Sequence, residues 1–234
     1  MSLSVNSLNA RPKQPVTRTS RAPHTPSDGT VTLGIDLRSG PRYPTGVATM
    51  TKDLRLRFLG VARTDEAILA AVEASAPRVV AIDAPLALPE GRDCADPTCA
   101  CADHGIMREV DRIAAREGYR PFPTLLPSMV KLTLRGIALR ETLEARGYEV
   151  IETYPGMTQD VLAIPRKRAG LDELRRGLKR RGVLGIPRSR RVSHDELDAV
   201  TCALTAQLYL EGRAEVMGPG TPVPLVLPDR SLSW

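Results

Sequence analysis

The chain has 234 residues, enough for one large domain, and 42% of them are hydrophobic, enough to build a core. With only 3% aromatic residues, that core must be made of Leu, Val, Ile and Ala. The formal net charge of +6, almost all of its cations arginine, is compatible with a polyanionic partner. No apolar run approaches the roughly 20 residues of a membrane helix, and no apolar h-region marks a secretory signal, so a cytoplasmic protein without membrane association is expected.

Residues 1–29 are rich in Ser, Thr, Pro, Asn and Arg and poor in large apolar residues, which predicts a disordered basic tail ahead of one domain over 30–234. Val31 to Leu37 is apolar enough for a strand covered on both faces. Thr45 to Met50 and Leu54 to Val61 follow as strands of an antiparallel meander, the second placing Leu54, Leu56 and Phe58 on one face. A helix is predicted from Thr64 to Ser75, and a fourth, buried strand from Arg78 to Asp83. An inserted irregular loop runs from Ala84 to Gly105, long enough to suggest function. Helices are expected over 106–117 and 127–146, then a fifth strand over Tyr148 to Thr153. A very basic helix covers 169–181 and a long apolar-faced helix 193–211. The Pro-rich end carries at most a short strand at Leu225 to Leu227. A meander followed by alternating strands and helices implies an α/β fold: a mixed five-stranded sheet with helices on both faces.

Two of these strands run apolar and then stop at an acid, at Asp36 and at Asp83. In α/β sheets, sites collect beyond the carboxyl ends of strands. Two carboxylates there repel, and a hard cation such as Mg²⁺ or Mn²⁺ would relieve them. The last helix opens with a capping box, Ser193 at the N-cap and Glu196 three residues on. Asp195 then lies in the first turn and Asp198 one turn later on the same face. Taken singly, Asp36 suits a turn and Asp195 a helix N-terminus; taken together they suggest a metal site.

The motifs Gly34-Ile-Asp36, Thr45-Gly-Val-Ala48, Ala81-Ile-Asp83-Ala-Pro-Leu86, Ile151-Glu-Thr-Tyr-Pro-Gly156 and Ser193-His-Asp-Glu-Leu-Asp-Ala199 follow one another along residues 31–228. In this order they resemble the DUF429 family of predicted nucleases. The pattern His194-Asp195-x-x-Asp198-Ala199 also resembles the last acidic motif of RuvC-type resolvases. The resemblance implies a ribonuclease H-like fold with Asp36, Asp83, Asp195 and Asp198 as catalytic metal ligands and Glu152 as an extra one. It further implies two-metal phosphodiester hydrolysis, in which Asp36 bridges the ions, Asp83 and Asp198 each hold one, and Asp195 completes a shell or positions water.

Two further constellations stand apart. Cys94, Cys99, Cys101 and His104 offer soft ligands for a structural Zn²⁺, although their spacing is not that of a standard finger. Basic residues crowd 166–191; among them Arg175, Arg176, Lys179 and Arg180 are candidates to hold phosphates, against the alternative of a solvated helix face. A stripe of Arg108, Arg112, Arg116 and Arg120 either lines a groove or pairs with Glu109 and Glu117. Besides a nuclease, two functions compete: a non-catalytic nucleic-acid-binding protein, and a nucleotide-binding phosphotransferase of the actin-like group. For the latter, Gly34, Gly40 and Gly46 resemble a first phosphate loop, but no second one follows. The sequence carries no signal of oligomeric state.

Overall fold

The computed structural model describes residues 31–233, so the predicted basic tail at 1–29 lies outside the described residues. Seven strands form one sheet: β1 (Val31–Asp36), β2 (Thr45–Thr51), β3 (Leu56–Ala62), β4 (Val79–Asp83), β5 (Glu149–Thr153), β6 (Ala214–Met217) and β7 (Leu225–Pro228). Their order is β3-β2-β1-β4-β5-β7-β6. β1, β2 and β3 are the expected antiparallel meander, while β4, β5 and β7 add in parallel and β6 closes the edge antiparallel to β7.

The sheet is therefore mixed, as expected, but has seven strands and not five. β6 and β7 are four residues each, too short to display an alternation in sequence. The meander also departs in detail. The register between β2 and β3 shifts so that Met50 faces Leu56 while Thr49 faces Phe58. The extra residue, Arg57, reverses the alternation, as a bulge does, and Phe58 is exposed while Leu56 packs on the core.

Six helices flank the sheet: α1 (Asp65–Ser75), α2 (Glu109–Arg116), α3 (Val130–Ala145), α4 (Pro155–Val161), α5 (Leu171–Arg180) and α6 (His194–Leu210). Leu33, Ile35, Val80 and Ile82 pack with Ile68 and Val72 of α1 and Leu139 and Leu143 of α3. On the opposite face, Ala48 and Met50 meet Leu197, Val200 and Leu204 of α6, and Val79 and Ala81 meet its Cys202 and Ala206. Strand alternation thus sends odd residues of β1 toward α1 and α3, and even ones toward α6.

The even residues of β1 explain how α6 is seated. The Thr32 hydroxyl donates to the Ala203 carbonyl at 3.0 Å. Gly34 comes next; a Cβ there would stand 2.1 Å from the Ala199 carbonyl oxygen. On β2, a Cβ at Gly46 would stand 2.0 Å from the Asp195 carbonyl oxygen. These two glycines let the helix lie directly on the strands. Two strand residues advance about 6.6 Å and four helical residues about 6 Å, so strand and helix keep step. One step beyond Gly34 is Asp36, and one turn before Ala199 is Asp195. Among the described residues, no helix is long and apolar enough to cross a membrane.

Candidate metal centre

Asp36 and Asp83 end neighbouring parallel strands and are direct partners in the register. Both face α6: Asp83 continues the parity of Val79 and Ala81, and Asp36 that of Thr32 and Gly34. Each carboxyl group lies close enough to shift the ionisation of the other. Asp198 and Asp195 approach from α6, whose first turn is fixed as predicted. The Ser193 hydroxyl accepts from the Glu196 N–H at 3.2 Å, and Glu196 accepts from the Ser193 N–H at 2.8 Å.

Burial and mutual repulsion dominate the electrostatics. Burial, then the charges of Asp83, Asp198 and Asp195, hold the Asp36 carboxyl well above the usual carboxylate range. Burial, then Asp198, push Asp83 up to about 8, against the pull of Lys167. Burial also raises Asp198, opposed by Gln159, Lys167 and His194. At neutral pH this favours the protonated carboxyl at Asp83.

Several residues complete the centre that the sequence did not single out. The Gln159 amide donates to Asp198 Oδ1 at 2.8 Å, and Lys167 Nζ lies 3.7 Å from Asp198 Oδ2. Arg38 reaches Asp195 at 3.5 Å. His194 stands beside Asp198, and its Nδ1 is buried without a hydrogen-bond partner among the described residues. Gln159 and Lys167 come from α4 and a single 3₁₀ turn (Lys167–Ala169), which have no periodicity to read.

Glu152 occupies a different environment. It shares the parity of Tyr148 and Val150, which pack on the α1 and α3 side. Both of its oxygens are held by Arg108, at 2.6 Å each, and one also accepts from the Leu86 N–H at 2.8 Å. Burial opposes the Arg108 charge, but Glu152 and Asp111 outweigh it and raise its pKa. The arginine stripe is largely absorbed by ion pairs of this kind: Arg108 with Asp111 and Glu152, and Arg112 and Arg116 with Glu109.

Among the described residues, one group of three or more Cys, His, Asp or Glu side chains has all its ligand atoms within 4.8 Å of one another: Cys94, Cys99 and Cys101. His104 is exposed outside that group, its ring lying where a Cβ at Gly91 would stand. The four aspartates make a wider constellation.

The basic segment divides. Arg176 pairs with Glu173, and Arg180 is exposed. Arg175 and Lys179 are half-buried on α5, and Arg175 Nε and Nη2 have no hydrogen-bond partner among the described residues. Burial, then the charges of Arg188 and Arg175, push the Lys179 ammonium down. Arg175 and Arg191 line one shallow groove with Leu171, Asp172, Val192 and Leu197.

A mixed sheet whose central parallel strands each end in an aspartate, with two more supplied by a helix across its face, defines an α/β protein with an acidic centre at the sheet's carboxyl edge. The chain belongs to the DUF429 family, whose model, described as "Protein of unknown function (DUF429)", matches residues 34–222. No curated protein matches it. Among solved structures it is similar to RuvC of Thermus thermophilus, in complex with a Holliday junction substrate and in a second structure. Each is 18% identical with a TM-score of 0.45, and the match covers 78% of this chain and 97% of RuvC.

Proposed function

We propose that this chain is a ribonuclease H-like nuclease that hydrolyses phosphodiester bonds by a two-metal mechanism at Asp36, Asp83, Asp195 and Asp198. The observation that carries this reading is the in-register pairing of buried Asp36 with half-buried Asp83, near the buried Asp198. Evolution rarely keeps like charges buried together unless something compensates them. The donor set fits a hard divalent cation, because the four aspartates supply carboxylate oxygens. Mg²⁺ or Mn²⁺ would be held by Asp36, Asp83 and Asp198, with Asp195 at the rim. Held there, such ions would supply charge neutralisation at a phosphoryl group and activation of water.

The remaining residues have supporting tasks in this reading. Gln159 orients the Asp198 carboxylate, since its amide can only donate from Nε2. Lys167 and Arg38 offset the charge of the metal-free acids and would be free to turn to a phosphate once metal is bound. Glu152 acts as an anchor for the loop that follows β4, through Arg108 and the Leu86 N–H. Arg175, Lys179, Arg188 and Arg191 are cations with little acidic compensation, suited to backbone phosphates. With no aromatic residues among them, base stacking there is not expected.

The test is calorimetric titration of Mn²⁺ into chelator-treated protein, wild type beside Asp36→Asn, with a non-cleavable phosphorothioate oligonucleotide present. Wild type should bind and Asp36→Asn should lose at least about tenfold in affinity, since mutating even a residue that only supports a ligand costs about that much. Equal Mn²⁺ affinity in the variant would overturn the site, and cleavage of an unmodified oligonucleotide in excess chelator would overturn the mechanism.

A further inference from the structure

The loop after β4 carries a second constellation, chemically unlike the first. Its path is fixed by one buried side chain. Arg92 donates from Nε to the Cys94 carbonyl at 3.1 Å, from Nη2 to the Asp96 carbonyl at 2.9 Å and from Nη1 to the Gly105 carbonyl at 3.4 Å. Between those ends, Asp96 Oδ1 accepts from the Thr98 N–H and hydroxyl, turning the chain back. A 3₁₀ turn (Ala100–His104) then starts at Cys99. Cys101 lands beside both other thiols, with Sγ 3.0 Å from Cys99 Sγ and 3.6 Å from Cys94 Sγ.

The Cys101 thiol can also donate to the Cys94 carbonyl, 4.0 Å away. A disulfide between Cys99 and Cys101 would leave Cys94 without a role, whereas a soft metal uses all three sulfurs. Two sulfurs on a tetrahedral zinc at about 2.3 Å stand roughly 3.8 Å apart. The 3.6 Å pair already meets that spacing, and the 3.0 Å pair must open by less than an ångström.

We infer that Cys94, Cys99 and Cys101 form a three-thiolate Zn²⁺ site, with the fourth position left to solvent, that clamps the loop over 92–105. Binding replaces the three thiol protons with one ion and releases them to solvent. The clamp would steady the segment from which Glu90 accepts the Glu109 N–H at 2.9 Å and Arg108 reaches Glu152. The site is independent of the aspartates, which offer only hard oxygen ligands.

The test is addition of one equivalent of Co²⁺ to the full chain after reduction and chelation. The expected result is an intense sulfur-to-cobalt charge-transfer band with tetrahedral visible absorption, abolished by one equivalent of Zn²⁺. Asp36→Asn and Cys202→Ala should keep the band, so failure here is distinct from failure of the acidic centre; Cys101→Ser should lose it. Should Cys101→Ser not fold, alkylation of wild type read by mass spectrometry replaces it: Zn²⁺ should shield Cys94, Cys99 and Cys101. Absence of the charge-transfer band in wild type, or thiols alkylated equally with and without Zn²⁺, overturns the site.

Discussion

Strand parity decides what each buried carboxylate meets. Asp83 and Glu152 sit on adjacent strands, one register step apart, yet Asp83 faces α6 and other acids while Glu152 faces Arg108. The aspartates were legible because each ends an apolar run or opens a capped helix. The parity of Glu152 was also legible, from Tyr148-x-Val150-x-Glu152, but its partner was not, since Arg108 lies 44 residues away behind an irregular loop. Removing that partner should be severe. Arg108→Met strands a carboxylate that is 4% exposed, and breaking a buried pair this way costs about 3–5 kcal/mol. Denaturant unfolding should show this loss, and the double variant Arg108→Met/Glu152→Met should recover only part of it, because the buried Asp111 also loses Arg108. A loss below about 1 kcal/mol in the single variant would mean that Glu152 finds water instead.

At the level of elements, the centre depends on how closely α6 lies against β1 and β2. The sequence showed the helix, its cap and its apolar stripe; it did not show that Gly34 and Gly46 are contact points, because a glycine in a strand reads as a weakness until its neighbour is known. α4 went unread for a related reason: Pro155 and Gly156 look like a loop, although proline is well suited to a helix's first position. A methyl group at Gly34 must push α6 away or distort β1. Gly34→Ala should therefore destabilise by about 1–3 kcal/mol or more, lowering the melting temperature by roughly 2–4 °C per kcal/mol. Mn²⁺ affinity should fall with it, because Asp198 moves with the helix. Gly40→Ala is the control: nothing lies within 4 Å of a Cβ there, and the change should stay within about 0.5 kcal/mol. Equal stability of the two variants would refute the close-packing account.

Over the whole molecule, a chain with net charge +6 gathers buried acids at one sheet edge, and this shapes its response to pH. Asp83 titrates near 8 in the folded metal-free protein against an ordinary value of 3.8, and Asp36 and Asp198 shift the same way. Between those limits the native state binds more protons than the unfolded chain, so stability must fall as pH rises. The stabilisation is fully present below about pH 4 and is lost through about pH 8, opposite in sign to a salt-bridged carboxylate. Denaturation midpoints of chelator-treated protein should accordingly drop across this range, and Asp83→Asn should flatten the drop. In the proposed function, saturating Mn²⁺ should flatten it too, since ligation keeps the carboxylates ionised without repulsion. A midpoint that rises with pH, or an undiminished slope in Asp83→Asn, would mean that the acids are solvated well enough to ionise together, which would remove the reason for a cation to bind among them.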